Sequence, residues 1–235
     1  MKKVLTIIGL SVLFFTVVNS QNNIGIFVGG GISDMRTLQE TADLTNSINA
    51  DMNFLPSYYG GFNFENIITE RQLYFQFGLQ AISRGYSSNN DSISYFIHNA
   101  YIPLELKYKY FFSRRGEGNV FISAGPYVAA SYKGTKKNIA LEAAAEADTT
   151  GTIVFSPEIK FGKLATDDME PFDYGINATA GFGYSHIQIA YNFSLGLRNM
   201  IPSQLVSDYE TAGMFVPKLK HMNHSVTVGF YFSNK

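Results

Sequence analysis

In the stretch IPLELKYKYFF, Ile102 to Phe112, the charges Glu105, Lys107 and Lys109 recur at every second residue, with Leu104, Leu106, Tyr108 and Tyr110 between them. On an extended strand successive side chains alternate faces, so the three charges share one face and the apolar groups the other. A carboxylate beside two ammonium groups can steer an ion or form a structural ion pair. In a confined site an unpaired charge is expensive, so the expectation is a structural network in which Glu105 pairs with a neighbouring lysine, rather than a transport route. Other chemistry has less to stand on. Catalysis needs a nucleophile and a base within hydrogen-bond reach, oriented by a third group. His186 falls on the polar face of its segment beside a short turn, with Gln188 rather than Ser two residues on. His98, His221 and His224 fall at the ends of irregular segments, and the adjacent His224 and Ser225 would point to opposite faces of a strand. His221 and His224 are three apart, without a third ligand group nearby to complete a metal site. No catalytic, cofactor-binding or metal-binding residues are therefore expected.

Composition narrows the setting. The chain has 235 residues and a net charge of -1, which offers no electrostatic basis for binding nucleic acid. Charged residues make up 16% and aromatics 15%, with 20 Phe and 15 Tyr. A soluble domain averages roughly 25% charged. The absence of cysteine excludes thiolate metal sites, a cysteine nucleophile, disulfides and a lipid anchor on cysteine. Lys2 and Lys3 precede an apolar run from Val4 to Val18, and Val18-Asn19-Ser20 suits a cut ahead of Gln21. That run, diluted by Gly9, Ser11 and Thr16, is short for a spanning helix, which needs roughly twenty apolar residues. Residues 1–20 thus read as a cleaved signal peptide and 21–235 as one domain.

The elements that must position the charges follow a period of two. Eight segments carry it: Asn23 to Ser33, Ser57 to Glu65, Gln72 to Ser83, Ile102 to Phe112, Val120 to Tyr132, Phe172 to Tyr184, His186 to Arg198 and Ser225 to Phe232. In Phe172 to Tyr184, for example, Phe172, Tyr174, Ile176, Ala178, Ala180 and Phe182 oppose Asp173, Gly175, Asn177, Thr179, Gly181 and Gly183. The connections alternate in length. Long ones run from about Asp34 to Pro56, Arg84 to His98, Gly134 to Pro171 and Asn199 to His224, and short ones lie at Asn66 to Arg71, Ser113 to Asn119 and around Ser185. An even number of strands with this alternation predicts an all-β fold: an eight-stranded, antiparallel, up-and-down transmembrane β-barrel with short periplasmic turns and long extracellular loops.

Charge and aromatic placement agree with a lipid-facing exterior. Of 37 charged residues, Glu105, Lys107, Lys109 and Asp173 fall well inside the segments, all on the polar face. A charge facing lipid at mid-bilayer would cost roughly 2 to 4 kcal/mol. Phe64, Tyr108, Tyr110, Phe111, Phe112, Phe121, Phe182, Tyr184, Phe230 and Phe232 gather near the short-turn ends, as an interfacial girdle requires. The structural rival is a soluble eight-stranded barrel, in which the polar face would be the wet exterior. That face is rich in Gly, Asn, Gln and Ser and nearly empty of Lys and Glu, which suits a crowded lumen better.

The segments AYIPLELKYKYFF, FISAGPYVAASY, DYGINATAGFGY and SVTVGFYF resemble the PorT-like outer-membrane β-barrel family of Bacteroidota-type bacteria over nearly the whole mature chain. The IPLELKY strand followed by a GPY strand is the most specific part. The resemblance implies an eight-stranded barrel of the outer membrane without enzyme activity, in a family whose members are often labelled porin-like and one branch of which serves a secretion and gliding apparatus.

Eight strands leave an interior just wide enough for side chains. The lumen should be plugged by Tyr74, Gln76, Gln80, Glu105, Lys107, Lys109, Asn177, Gln188 and Asn192. Pro103 and Pro126 should lie nearly level across one strand pair and, lacking amide donors, produce a local irregularity or bulge there. The Ala- and Glu-rich stretch Lys136 to Thr150 favours a short surface helix, either a solvated cover over the barrel mouth or a contact for an envelope protein partner. Met214, Phe215 and Val216 could pack onto the rim or meet a partner. The expected role is structural, or interaction through the loops of a plugged scaffold in a secretion or envelope assembly. The alternatives are a narrow porin-like conduit for small solutes and a lipid-modifying enzyme. Outer-membrane lipid is the expected surrounding partner, and the barrel-assembly machinery a transient one, because the last strand ends in Phe230-Tyr231-Phe232.

Overall fold

The computed structural model describes residues 22–37, 52–69, 72–88, 93–112, 117–148, 155–214 and 218–233. The expected signal peptide lies outside these residues. The elements are β1 (Asn22–Thr37), β2 (Met52–Asn53), β3 (Leu55–Thr69), β4 (Leu73–Ser88), β5 (Ile93–Phe111), β6 (Gly118–Asn138), α1 (Ile139–Ala147), β7 (Phe172–Tyr184), β8 (Ile187–Gly196), α2 (Ser203–Thr211) and β9 (Leu219–Ser233). Every pairing is antiparallel, and the order β4-β3-β1-β9-β8-β7-β6-β5 closes through β4–β5. Eight long strands thus form a closed barrel, and the two-residue β2 extends the wall along the upper end of β4. Closure leaves no edge with unpaired backbone groups, the condition for crossing hydrocarbon with strands.

Period two resolves onto two faces as the residue types require. Leu104 is 42% and Ile176 49% exposed on the outside, while Lys107 is 1% exposed on the inside. The apolar residues therefore do not gather at the axis as they would in a soluble barrel. Ile26, Val28, Phe62, Leu79, Leu106, Ile122, Val128, Tyr174, Ile189 and Val228 continue this outward face around the wall. So continuous an apolar surface is sustained by lipid and not by water. The eleven residues from His98 to Tyr108 on β5 span about 33 Å of strand, or about 25 Å along the axis at a tilt near 40°, which matches the height of an outer-membrane apolar band.

On the side of the short turns, β7 and β8 are joined by Ser185 and His186, with Ser185 left-handed at φ 53°. Asn23 pairs with Ser233, so both ends of the barrel domain lie at this end. On the other side the strands run further than the alternation suggests. β4 continues to Ser88 and β5 starts at Ile93, so most of the expected Arg84-to-His98 loop is paired strand, and β6 continues to Asn138. Above the bilayer the outer face meets water, so the apolar-out rule that reveals a strand no longer applies to its sequence.

The proline expectation is met in one respect and corrected in another. Pairing between β5 and β6 lapses between Pro103↔Tyr127 and Leu106↔Ala124, and pairing between β4 and β5 lapses between Phe77↔Leu104 and Gln80↔Tyr101. Neither lapse shifts the register, so no bulge forms. Each proline removes one donor from the ladder without inserting a residue. The register shift in β5–β6 lies instead at His98/Asn99, where Tyr132 is the extra residue between Ser131 and Lys133.

A lid closes the outer mouth. Met35, Ile97, Ile159, Met169 and Met200 form a buried apolar cluster, with Tyr86, Tyr95, Phe161 and Leu219 packed against it. Backbone bonds from Ile159 N to Gly134 O (3.1 Å), Glu170 N to Met200 O (2.9 Å) and Met200 N to Leu219 O (2.9 Å) stitch the connections to the rim. The expected surface helix is present as α1, capped by Asn138 Oδ1, which accepts from Leu141 N at 3.1 Å, and it buries none of its residues. The lid itself is built by the residues that follow it, 155–171, together with 199–202.

Candidate functional site

The barrel interior is stacked in layers. Nearest the short turns, the carboxylate of Glu65 on β3 receives both lysines of β5: Lys107 Nζ at 2.6 Å from Oε1, and Lys109 Nζ on Oε2. All three side chains are buried. Lys107 Nζ also donates to Gln76 Oε1 (3.2 Å) and Gln188 Oε1 (3.0 Å), and lies 3.8 Å from the centre of the Phe121 ring. Lys109 Nζ stands 4.3 Å from the centre of the Tyr74 ring. Phe121 is thus corrected from the interfacial girdle to the lumen. It shares the odd-numbered phase of Ser123, and a cation over an aromatic face is stabilised by the ring quadrupole.

Glu105 is also corrected. It forms no ion pair with a lysine and is instead held by hydrogen bonds from Gln76 Nε2 (3.2 Å), Ser123 Oγ (2.5 Å) and Asn177 Nδ2. Gln76, which accepts from Lys107 through its oxygen and donates to Glu105 through its nitrogen, relays between the two charges. The reason is register. Glu65↔Gln76 and Gln76↔Glu105 are cross-strand partners, so the two carboxylates flank the amide, and Lys107, two residues below Glu105, reaches back to Glu65. Asn192 joins a neighbouring chain, accepting from Thr179 Oγ1 (3.0 Å) and donating to Thr227 Oγ1 (3.0 Å). A cavity of about 20 Å³ lies between these groups and Tyr59, lined among others by Gln80, Gln188 and Thr227. That is room for about one water molecule.

Above the polar layer, four rings form a septum. Phe27–Tyr59, Tyr59–Tyr101 and Tyr101–Tyr127 have centroids 5.5, 6.2 and 4.6 Å apart. A second ion pair lies on its outer side: Arg84 Nη1 donates to Asp173 Oδ2 at 2.7 Å, both side chains fully buried, and Tyr127 donates to the same oxygen at 2.8 Å. The Arg84 guanidinium faces Tyr127 and Tyr101 at 4.9 and 5.2 Å. Gly196 makes the space, because a Cβ there would stand 3.0 Å from Asp173 Oδ1.

Sequence reasoning placed Arg84 at the start of a loop. The signal that finds it is phase, since Arg84 lies an even number of residues beyond Gln76 and Gln80. The histidines are rearranged too. His186 is exposed in its turn, its ring beside Phe230 and its Nδ1 2.9 Å from Tyr231 O, and does not face the lumen. His221, expected at a loop end, is fully buried within β9. His98 and His224 face outward, each with Nδ1 2.5 Å from a tyrosine hydroxyl, Tyr58 and Tyr191. Among the described residues there is no helix long and apolar enough to cross a membrane, and no cluster of three or more His, Asp or Glu that could hold a metal ion.

A closed eight-stranded barrel with a lipid-facing exterior and a charge-lined, filled interior is a small outer-membrane barrel. The family model described as outer membrane protein beta-barrel domain matches residues 19–202, and the chain belongs to that family. It resides in the outer membrane. Similar solved structures include OprG from Pseudomonas aeruginosa (11% identity, 92% of this chain and 97% of that one, TM-score 0.45). Others are Neisserial surface protein A (9%, 89% and 97%, TM-score 0.43) and Ail, the attachment invasion locus protein of Yersinia pestis (7%, 90% and 99%, TM-score 0.40). No curated protein matches the sequence.

Proposed function

We propose that this chain is a non-conducting scaffold of the outer membrane, whose work is to hold a folded extracellular lid and present it to an envelope partner. The observation that carries this reading is the filled interior: two ion-pair layers, an aromatic septum between them and an apolar lid above, with a cavity of about 20 Å³ inside. A solute larger than water would have to break several buried charge-assisted bonds, each worth about 1.5–3 kcal/mol, to pass. The narrower assignment we propose is the PorT-like family, supported by the IPLELKY and GPY strands. Within it a secretion or envelope assembly is the setting, with barrel-assembly machinery as the transient partner during insertion.

A non-catalytic role is part of the same proposal. His98, His186 and His224 are engaged with tyrosine hydroxyls or a backbone carbonyl. The decisive measurement is ion conductance of the refolded protein in a planar bilayer. Silence with the barrel verified as inserted is expected. Discrete, reproducible conductance steps would replace the scaffold by a narrow conduit.

A further inference from the structure

We propose that the outward face of the β5–β6 bulge binds the phosphate of a phosphorylated lipid in the outer leaflet. His98 pairs with Lys133 and Asn99 with Ser131, so β6 has one extra residue, Tyr132, at this level. The irregularity turns two consecutive side chains, Tyr132 at 62% exposure and Lys133, to the outside, where an uninterrupted strand would turn only one. Bulges at barrel rims serve to re-aim side chains in this way.

The groups they join are polar and aromatic. Tyr58 OH lies 2.5 Å from His98 Nδ1, which leaves Nε2 as the remaining polar atom of the ring. The Tyr132 and His98 rings are stacked with centroids 6.2 Å apart. Phe96 meets the His98 ring edge-on at 5.1 Å and closes the upper side. The imidazole and the rings of Tyr58 and Tyr132 thus share one outward patch, and Lys133, the cross-strand partner of His98, is exposed beside them.

The depth of the patch selects the ligand. Directly below it on the same two strands, Ala100, Ile102 and Val128 face the hydrocarbon. A lipid whose tails lie along that surface brings its headgroup to the level of His98 and Lys133. A lysine ammonium set beside an imidazole and phenols at headgroup depth matches a group with several anionic oxygens, which a phosphomonoester supplies and a zwitterionic choline headgroup screens.

Spin-labelled phosphatidic acid and spin-labelled phosphatidylcholine, compared in vesicles containing the full barrel, read the selectivity of the protein-bound lipid shell. The wild-type protein should prefer phosphatidic acid, and Lys133→Ala should lower that preference about five-fold, the worth of one cation near an anionic surface. Lys137→Ala, four residues further along β6 and also exposed, should leave it unchanged. Equal losses in the two variants would mean diffuse surface charge and overturn the proposal. So would undiminished preference in Lys133→Ala, or release of the lipid by excess inorganic phosphate, which would mark a site for the free anion. Because both lysines are exposed on the rim, insertion of each variant is verified by its heat-modifiable gel migration.

Discussion

Glu65→Gln is predicted to destabilise the barrel by about 3–5 kcal/mol, the range for stripping one partner from a buried ion pair. The figure follows from what each lysine retains. Lys107 keeps the amide oxygens of Gln76 and Gln188 and the Phe121 face, so part of its compensation survives. Lys109 retains the Tyr74 ring, which offsets far less than a carboxylate. Glu105→Gln is the control, because Glu105 is equally buried but accepts hydrogen bonds from neutral donors rather than ion pairs. It should cost about 1–2 kcal/mol, the difference between charged and neutral hydrogen bonds. Adding Lys109→Met to Glu65→Gln should recover part of the loss by removing the worse stranded charge, a non-additivity that a double-mutant cycle isolates. Urea titration of the barrel folded into phosphatidylcholine vesicles reads all five proteins, the Lys109→Met variant of the cycle included. The assignment of Glu65 as the shared acceptor fails if the two single variants lose the same stability, or if Lys109→Met makes Glu65→Gln worse.

The same titration tests three further points. Leu104→Lys, at the middle of the lipid-facing band, should cost about 2–4 kcal/mol and Tyr108→Lys, at its inner edge, about 0–1; equal costs would contradict the placement of the bilayer. Asp173→Asn should cost about 3–5 kcal/mol by leaving the Arg84 guanidinium buried without its counter-charge, whereas a change under about 1 kcal/mol would show that pair to be dispensable. Pro126→Val should stabilise by about 1 kcal/mol, because the new amide can donate to the Leu104 carbonyl across the lapsed ladder at mid-membrane. A decrease would mean that the lapse has another cause than the missing donor.

The faces of the strands were legible in the sequence because lipid enforces them. A residue such as Leu106 must be apolar and one such as Asn177 must not face out, so alternation survives along each membrane-spanning stretch. Above the bilayer that pressure ends, which is why Arg84, His221 and the upper halves of β4, β5 and β6 read as loop. The pairing of charges was illegible for a different reason. Glu105 and Lys107 are neighbours on one face, and sequence proximity suggested that they bond. Which carboxylate meets which ammonium depends on the register between strands, and Glu65 comes to Lys107 from two strands away around the wall. Phe121 could have been placed correctly, since its phase matches Ser123 and opposes Val120 and Ile122; its aromatic character near a turn pointed the other way.

The polar interior also fixes the barrel's register. Its bonds link strands that are not neighbours: β3 to β5 through Glu65 and Lys107, β4 to β7 through Arg84 and Asp173, β5 to β8 through Lys107 and Gln188, and β3 to β9 through Asn63 and Tyr231. A slip of one residue at any seam would turn a strand's polar side chains out toward lipid and its apolar ones into the lumen. A slip of two keeps every face correct and would go unpunished by lipid alone. It would, however, carry Glu65 about 7 Å from its lysines and strand three buried charges at once. The apolar exterior therefore decides which face is which, and the ion pairs decide which residue stands opposite which. That second task needs acids and bases placed inside even when nothing passes through.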